Sequence, residues 1–84
     1  MKMSEIKNLI GKTLSVRDTQ ECHNCDTVIA DVQFKDNYYQ FLDDENELIV
    51  GIKAEDIDKF ITDSKISYTY YYFDRKCSVT FSIC

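Results

Sequence analysis

ISYTYYYFDRKCSVTFSIC, Ile66 to Cys84, sets four of the protein's six tyrosines in five positions, with two of its four cysteines close behind. Side chains alternate across a strand, so a slip of one residue exchanges its two faces. An even loop of two or four residues, centred on Asp74-Arg75, places Tyr72 opposite Cys77, Tyr70 opposite Val79, Tyr68 opposite Phe81 and Ile66 opposite Ile83. These eight share one face; Ser67, Thr69, Tyr71, Ser78, Thr80 and Ser82 take the other. A three-residue loop would mix the two sets, so the reading is an even-loop hairpin. Tyr68, Tyr70 and Tyr72 then form core wall with hydroxyls at the rim, while Tyr71 points away from the core.

Upstream, the same period of two recurs. Leu14 and Val16 alternate in TLSVRDT, and Val28, Ala30, Val32 and Phe34 alternate in TVIADVQF, which reads as one strand. Asp36-Asn37 is a tight-turn signal. NYYQFLD and ELIVGI add two more strands, the second with Leu48, Val50 and Ile52 inward, and Gly51 marks a bulge or a close approach. Two segments switch to helical spacing. SEIKNLI opens on Ser4 as an N-cap and stops at Gly11. KAEDIDKFITD lines up Ile57, Phe60 and Ile61, with acids near its start, where the helix dipole favours them. With no proline, two glycines and no repeat or linker, residues 1–84 read as a single domain. The expected fold is α+β: a small antiparallel sheet or partly open β-barrel of about six strands, with a short N-terminal helix and a short helix before the C-terminal hairpin.

From Leu9 to about Ile57, the runs LIGKTLSV, TVIADVQFKD and AEDI resemble small PRC-type barrels over just over half the chain. The turn glycine of that pattern, before the IADV-like strand, is missing. The resemblance implies a fold and assigns no functional residue here.

Charge narrows the function. Fifteen acidic and ten basic residues give a net charge of −5, and the pI is about 4.6. Residues 36–63 hold nine acids and two bases, a net of −7. Direct binding to nucleic acid calls for the opposite balance. No apolar run reaches signal-peptide or bilayer-spanning length, so the expectation is a cytoplasmic protein without a membrane role.

Cys22-x-x-Cys25, in the polar run QECHNCD, has the spacing of a zinc half-site. Closing a zinc site requires further ligands, and Cys77 and Cys84 fall on opposite faces of a strand. A Cys22–Cys25 disulfide, or two loop thiols, is therefore weighed ahead of a metal, and Cys77 reads as a small buried apolar residue. A lone His23, with no glycine-rich phosphate loop, GxSxG or HExxH, gives no catalytic constellation. The acidic run Asp43-Asp44-Glu45-x-Glu47 lacks the ligand spacing of an EF-hand.

The expectation is thus a small, acidic, non-enzymatic binding protein without a cofactor. It would contact a basic surface of a protein partner through Asp43, Asp44, Glu45, Glu47, Glu55, Asp56 and Asp58, with Tyr71 and Tyr38 as aromatic anchors. Phage inhibitors of host defence systems that mimic nucleic acid, the anti-CRISPR type among them, share these bulk properties. Two alternatives stand beside it: a module that sequesters a small molecule or nucleotide in a tyrosine-lined pocket, and a zinc-stabilised adaptor.

Overall fold

A computed structural model describes residues 2–19 and 24–84. The chain runs α1 (Lys2–Lys7), β1 (Thr13–Asp18), β2 (Cys25–Val28), β3 (Asp31–Lys35), β4 (Tyr38–Leu42) and β5 (Leu48–Lys53). A 3-10 turn (Ala54–Asp56), α2 (Ile57–Asp63), β6 (Lys65–Tyr72) and β7 (Arg75–Ile83) complete it. The strands form two antiparallel sheets, ordered β2-β1-β7-β6 and β3-β4-β5, which do not close into a barrel. The α+β class and the antiparallel sheets follow the sequence reading; six strands in one sheet or barrel does not.

The difference lies in TVIADVQF, which is two strands. Ile29 still belongs to the first sheet: its N–H donates to the Lys12 carbonyl at 2.9 Å, and its own carbonyl accepts from Gly11 at 2.8 Å. Ala30 already belongs to the second, donating to the Leu42 carbonyl at 2.8 Å. Ile29 and Val32 are both buried, while Val28 and Ala30 are exposed. A continuous strand cannot turn residues three apart to one face, so the bend resets the alternation. This is how a strand turns a corner between sheets.

Other boundaries shift for local reasons. α1 starts earlier than expected and ends at Lys7, so Ser4 lies within it; the chain unwinds through i→i−3 bonds (Leu9 to Ile6, Ile10 to Lys7) to Gly11 at φ +96°. Leu48, expected inward, is 58% exposed. A bulge does this, because Phe41 pairs with Val50 but Leu42 with Leu48, leaving Ile49 as the extra residue. Gly51 marks neither that bulge, which falls at Ile49, nor a close approach, since a Cβ there would sit in ordinary contact 3.5 Å from the Tyr38 ring. The Asp36-Asn37 turn is as read, with both residues at positive φ, as a two-residue hairpin loop demands.

The C-terminal hairpin keeps its even loop and its two faces, but the loop is Phe73-Asp74, one residue before the expected centre. Tyr72 pairs with Arg75, Tyr70 with Cys77, Tyr68 with Val79 and Ile66 with Phe81. A register shift of two preserves the faces, so Cys77 is buried and Tyr71 exposed as expected. Tyr72, expected as core wall, is instead 54% exposed because it lies at the hairpin tip, while Tyr68 and Tyr70 are half-buried.

α2 stands where β5 and β6 fail to pair. Ile57 and Phe60 are fully buried, and the Phe60 ring meets Phe41 edge-on at 5.8 Å. With Ile6, Leu14, Ile29 and Ile52 they form the core. Truncating Phe60 leaves a cavity that the surrounding strands cannot fill. Phe60→Ala is expected to cost about 3–5 kcal/mol, read as a lowered urea midpoint at unchanged m-value.

Candidate functional site

Strand pairing divides the expected partner-binding residues into three groups. The first is the β4–β5 loop with Asp43, Asp44, Glu45 and Glu47. The second lies at the opposite end of the three-stranded sheet, where Ala54 N–H donates to the Asn37 carbonyl at 3.0 Å and brings Glu55 and Asp56 beside Tyr38. Asp58 follows on α2. The third is Tyr71, on the projecting hairpin. The acids of the β4–β5 loop and the group Asp36, Glu55 and Asp56 therefore occupy opposite ends of a sheet, while Asp58 and Asp63 lie on α2.

The β4–β5 loop is held by its own first residue. Asp43 Oδ1 accepts from the backbone N–H of both Glu45 and Glu47, each at 2.9 Å. Asp43 N–H donates to the Glu47 carbonyl, Asn46 N–H donates to the Asp43 carbonyl, and Asn46 takes φ +64°. An aspartate carboxylate bonding residues just ahead of it is a standard turn device. Asp43 is thus committed to structure. Asp44, Glu45 and Glu47 are exposed on a fixed backbone, next to the exposed Leu48.

At the other end, Tyr68 O–H donates to Asp56 Oδ2 at 2.9 Å. Burial, the bond to Asp56 and the negative field of Asp56 push the Tyr68 phenol well above its ordinary value, with smaller contributions from Tyr38 and Glu55. A second tyrosine–carboxylate contact was not legible in the sequence. Tyr70 O–H reaches both carboxylate oxygens of buried Asp18 at 2.7 Å, and Asp18 N–H donates to Asn24 Oδ1 at 2.8 Å. The hydrogen bond to Asp18, then burial, raises the Tyr70 phenol too. The signal for this contact is only the period-two phase, which puts Asp18 on the face of Leu14 and Val16.

On the outer face of the four-stranded sheet, Arg17 pairs with Asp26 at 2.8 Å and also donates to the Cys25 carbonyl at 3.1 Å. The hydrogen bond from Arg17 holds the Asp26 carboxyl below its usual range. These contacts explain why Cys25 and Asp26, expected in a loop, begin β2. Of the metal pair, Cys25 is exposed on that strand and Cys22 lies outside the described residues. Among the described residues, no group of three or more His, Cys, Asp or Glu side chains is placed to hold a metal ion. No helix among them is long and apolar enough to cross a membrane.

The hairpin tip carries one aromatic that the sequence reading did not single out, Phe73. It is 86% exposed and lies at φ +56°, and its ring meets Tyr72 edge-on at 4.6 Å. Left-handed backbone is unusual for a bulky side chain and costs about 1–3 kcal/mol. Tyr71 beside it is 69% exposed. Compared with protein families, with curated proteins and with solved structures, the chain matches none.

Two measurements check this geometry. Asp43→Ala, which removes the acceptor for two loop amides, is expected to lower stability by about 1–2 kcal/mol, whereas Asp44→Ala leaves it within about 0.5 kcal/mol. The Tyr68 and Tyr70 phenols, raised in the fold, add stability that is intact below the ordinary tyrosine value of about 10 and is lost as pH climbs past it. In a spectrophotometric titration two phenols should ionise only with alkaline unfolding, and Tyr68→Phe with Tyr70→Phe should remove both from the late phase.

Proposed function

We propose that the protein is a small non-enzymatic binding protein that docks on a basic surface of a protein partner, as an inhibitor or decoy for that surface. The observation that carries this reading is the β4–β5 loop: four carboxylates in five positions without a base, on a backbone fixed by Asp43. A loop already held in shape loses little conformational entropy when it binds, so its charges act at reduced cost. Leu48, exposed at the loop's exit, supplies an apolar contact beside them. The Tyr38, Glu55 and Asp56 group faces elsewhere and contributes to the long-range field that steers approach. A phosphate groove on a nucleic-acid-handling protein is the kind of basic surface this loop fits.

Charge reversal separates the two ends. Asp44→Lys, Glu45→Lys and Glu47→Lys together should weaken capture of a basic partner by at least tenfold at low salt and flatten its salt dependence. Glu55→Lys with Asp58→Lys should change mainly the association rate. Equal loss from both sets, or from neither, removes the loop from the contact.

A further inference from the structure

β6 is an edge strand whose own sequence lacks the usual defences. It pairs only with β7 among the described strands, and α2 packs against it, leaving a depression between Lys59 and Asp63 of the helix and Ser67 of the strand. Ile83 N–H donates to the Ser64 carbonyl at 2.9 Å, which sets the phase of the ladder. In an antiparallel pair the bonding residues alternate, so Ile66, Tyr68, Tyr70 and Tyr72 spend their backbone groups on β7. Ser67, Thr69 and Tyr71 turn theirs outward. Edge strands are normally blunted by charge, proline, bulges or shortness. The other edges fit that rule: β2 has four residues and carries Asp26, β3 carries Asp31 and Lys35, and β5 has a bulge and ends in Lys53. β6 has eight residues, and from Ile66 to Tyr72 it has no charge, no proline and no bulge.

We infer that this edge is an interface for a second copy of the chain, with two β6 strands pairing antiparallel about a two-fold axis at Thr69. The strand is complementary to itself in that register. Thr69 meets Thr69 and Ser67 meets Tyr71, so outward backbone groups face outward backbone groups, and Tyr68 falls opposite Tyr70. Four residues from the axis on one side is Phe73; four residues on the other is Lys65, at the rim of a depression lined by Lys59, Asp63, Lys65, Ile66 and Ser67. Because a two-fold axis exchanges the two distances, each copy's exposed tip reaches the other's depression. There Phe73 lies against lysine side chains, a favourable cation–aromatic arrangement, and Asp74 and Arg75 approach Lys65 and Asp63 with opposite charge. The pairing gives the unfavourable φ of Phe73 a purpose, since a turn made for stability alone would carry glycine or asparagine there. The acidic β4–β5 loop takes no part, so the interface is independent of the partner-binding reading.

Sedimentation equilibrium of the full chain from 10 µM to 1 mM, roughly the range of a weak strand-mediated contact, tests the inference. A concentration-dependent dimer is expected, little weakened by 0.5 M salt, with the Thr69 and Tyr71 amides gaining hydrogen-exchange protection as concentration rises. Thr69→Pro removes one outward N–H and leaves the β7 ladder untouched; it should weaken the dimer at least tenfold. Phe73→Gly should do the same while leaving monomer stability equal or higher, because the left-handed turn suits glycine. A wild-type chain that stays monomeric to 1 mM overturns the inference. So does a dimer that both variants leave unchanged, or an edge that takes up only extended peptides of other sequence.

Discussion

The structure depends on the passage from Ile29 to Ala30. Over two residues the backbone leaves the ladder of β1 and enters that of β4, and each residue satisfies its amide in a different sheet. The fully buried Ile29 side chain pins the corner from inside. Without that bend the strands would form one open sheet with a single apolar face, and neither helix would have a concave surface to fill. With it, the two sheets fold toward each other, and α1 and α2 supply Ile6, Ile57 and Phe60 to the space between them.

Much of this was written in local pattern. The period of two, the Asp36-Asn37 turn, the α2 stripe and the even hairpin loop each depend on neighbours within a few residues, and all four are legible. What was not legible depends on pairing across distance. Val28, Ala30, Val32 and Phe34 alternate well enough to pass for a single strand, and only the switch of partners from β1 to β4 reveals the corner. Leu48 reads as inward until the partner strand is known, because the bulge that ejects it is a mismatch between two strands. The hairpin centre slipped by one residue because both settings give the same faces, and side-chain pattern alone cannot choose between them.

The candidate site divides along similar lines. Charge density marked the β4–β5 loop correctly as the most acidic stretch, but could not show that Asp43 is consumed in holding it. Nor could it show that Glu55 and Asp56 are carried to the far end of β5 and β4. Aromatic content drew notice to Tyr71, whereas the most exposed ring is Phe73, whose position follows from the turn geometry. Tyr68 and Tyr70 illustrate the rule that a half-buried phenol finds a partner; the partners, Asp56 and Asp18, come from elements 12 and 52 residues away.

The pairing of β1 with β7 has a kinetic side. Leu14 lies against Ile83 and Asp18 against Val79, so one of the two inner strands of the larger sheet waits for the other, made more than sixty residues later. During synthesis β3, β4, β5 and α2 can assemble locally, while β1 stays half-paired until residues 79–83 have emerged. Closing so long a loop late is slow. Until then Leu14 and Val16 remain open to solvent, and over that interval the nascent chain is most vulnerable to aggregation or a holding chaperone.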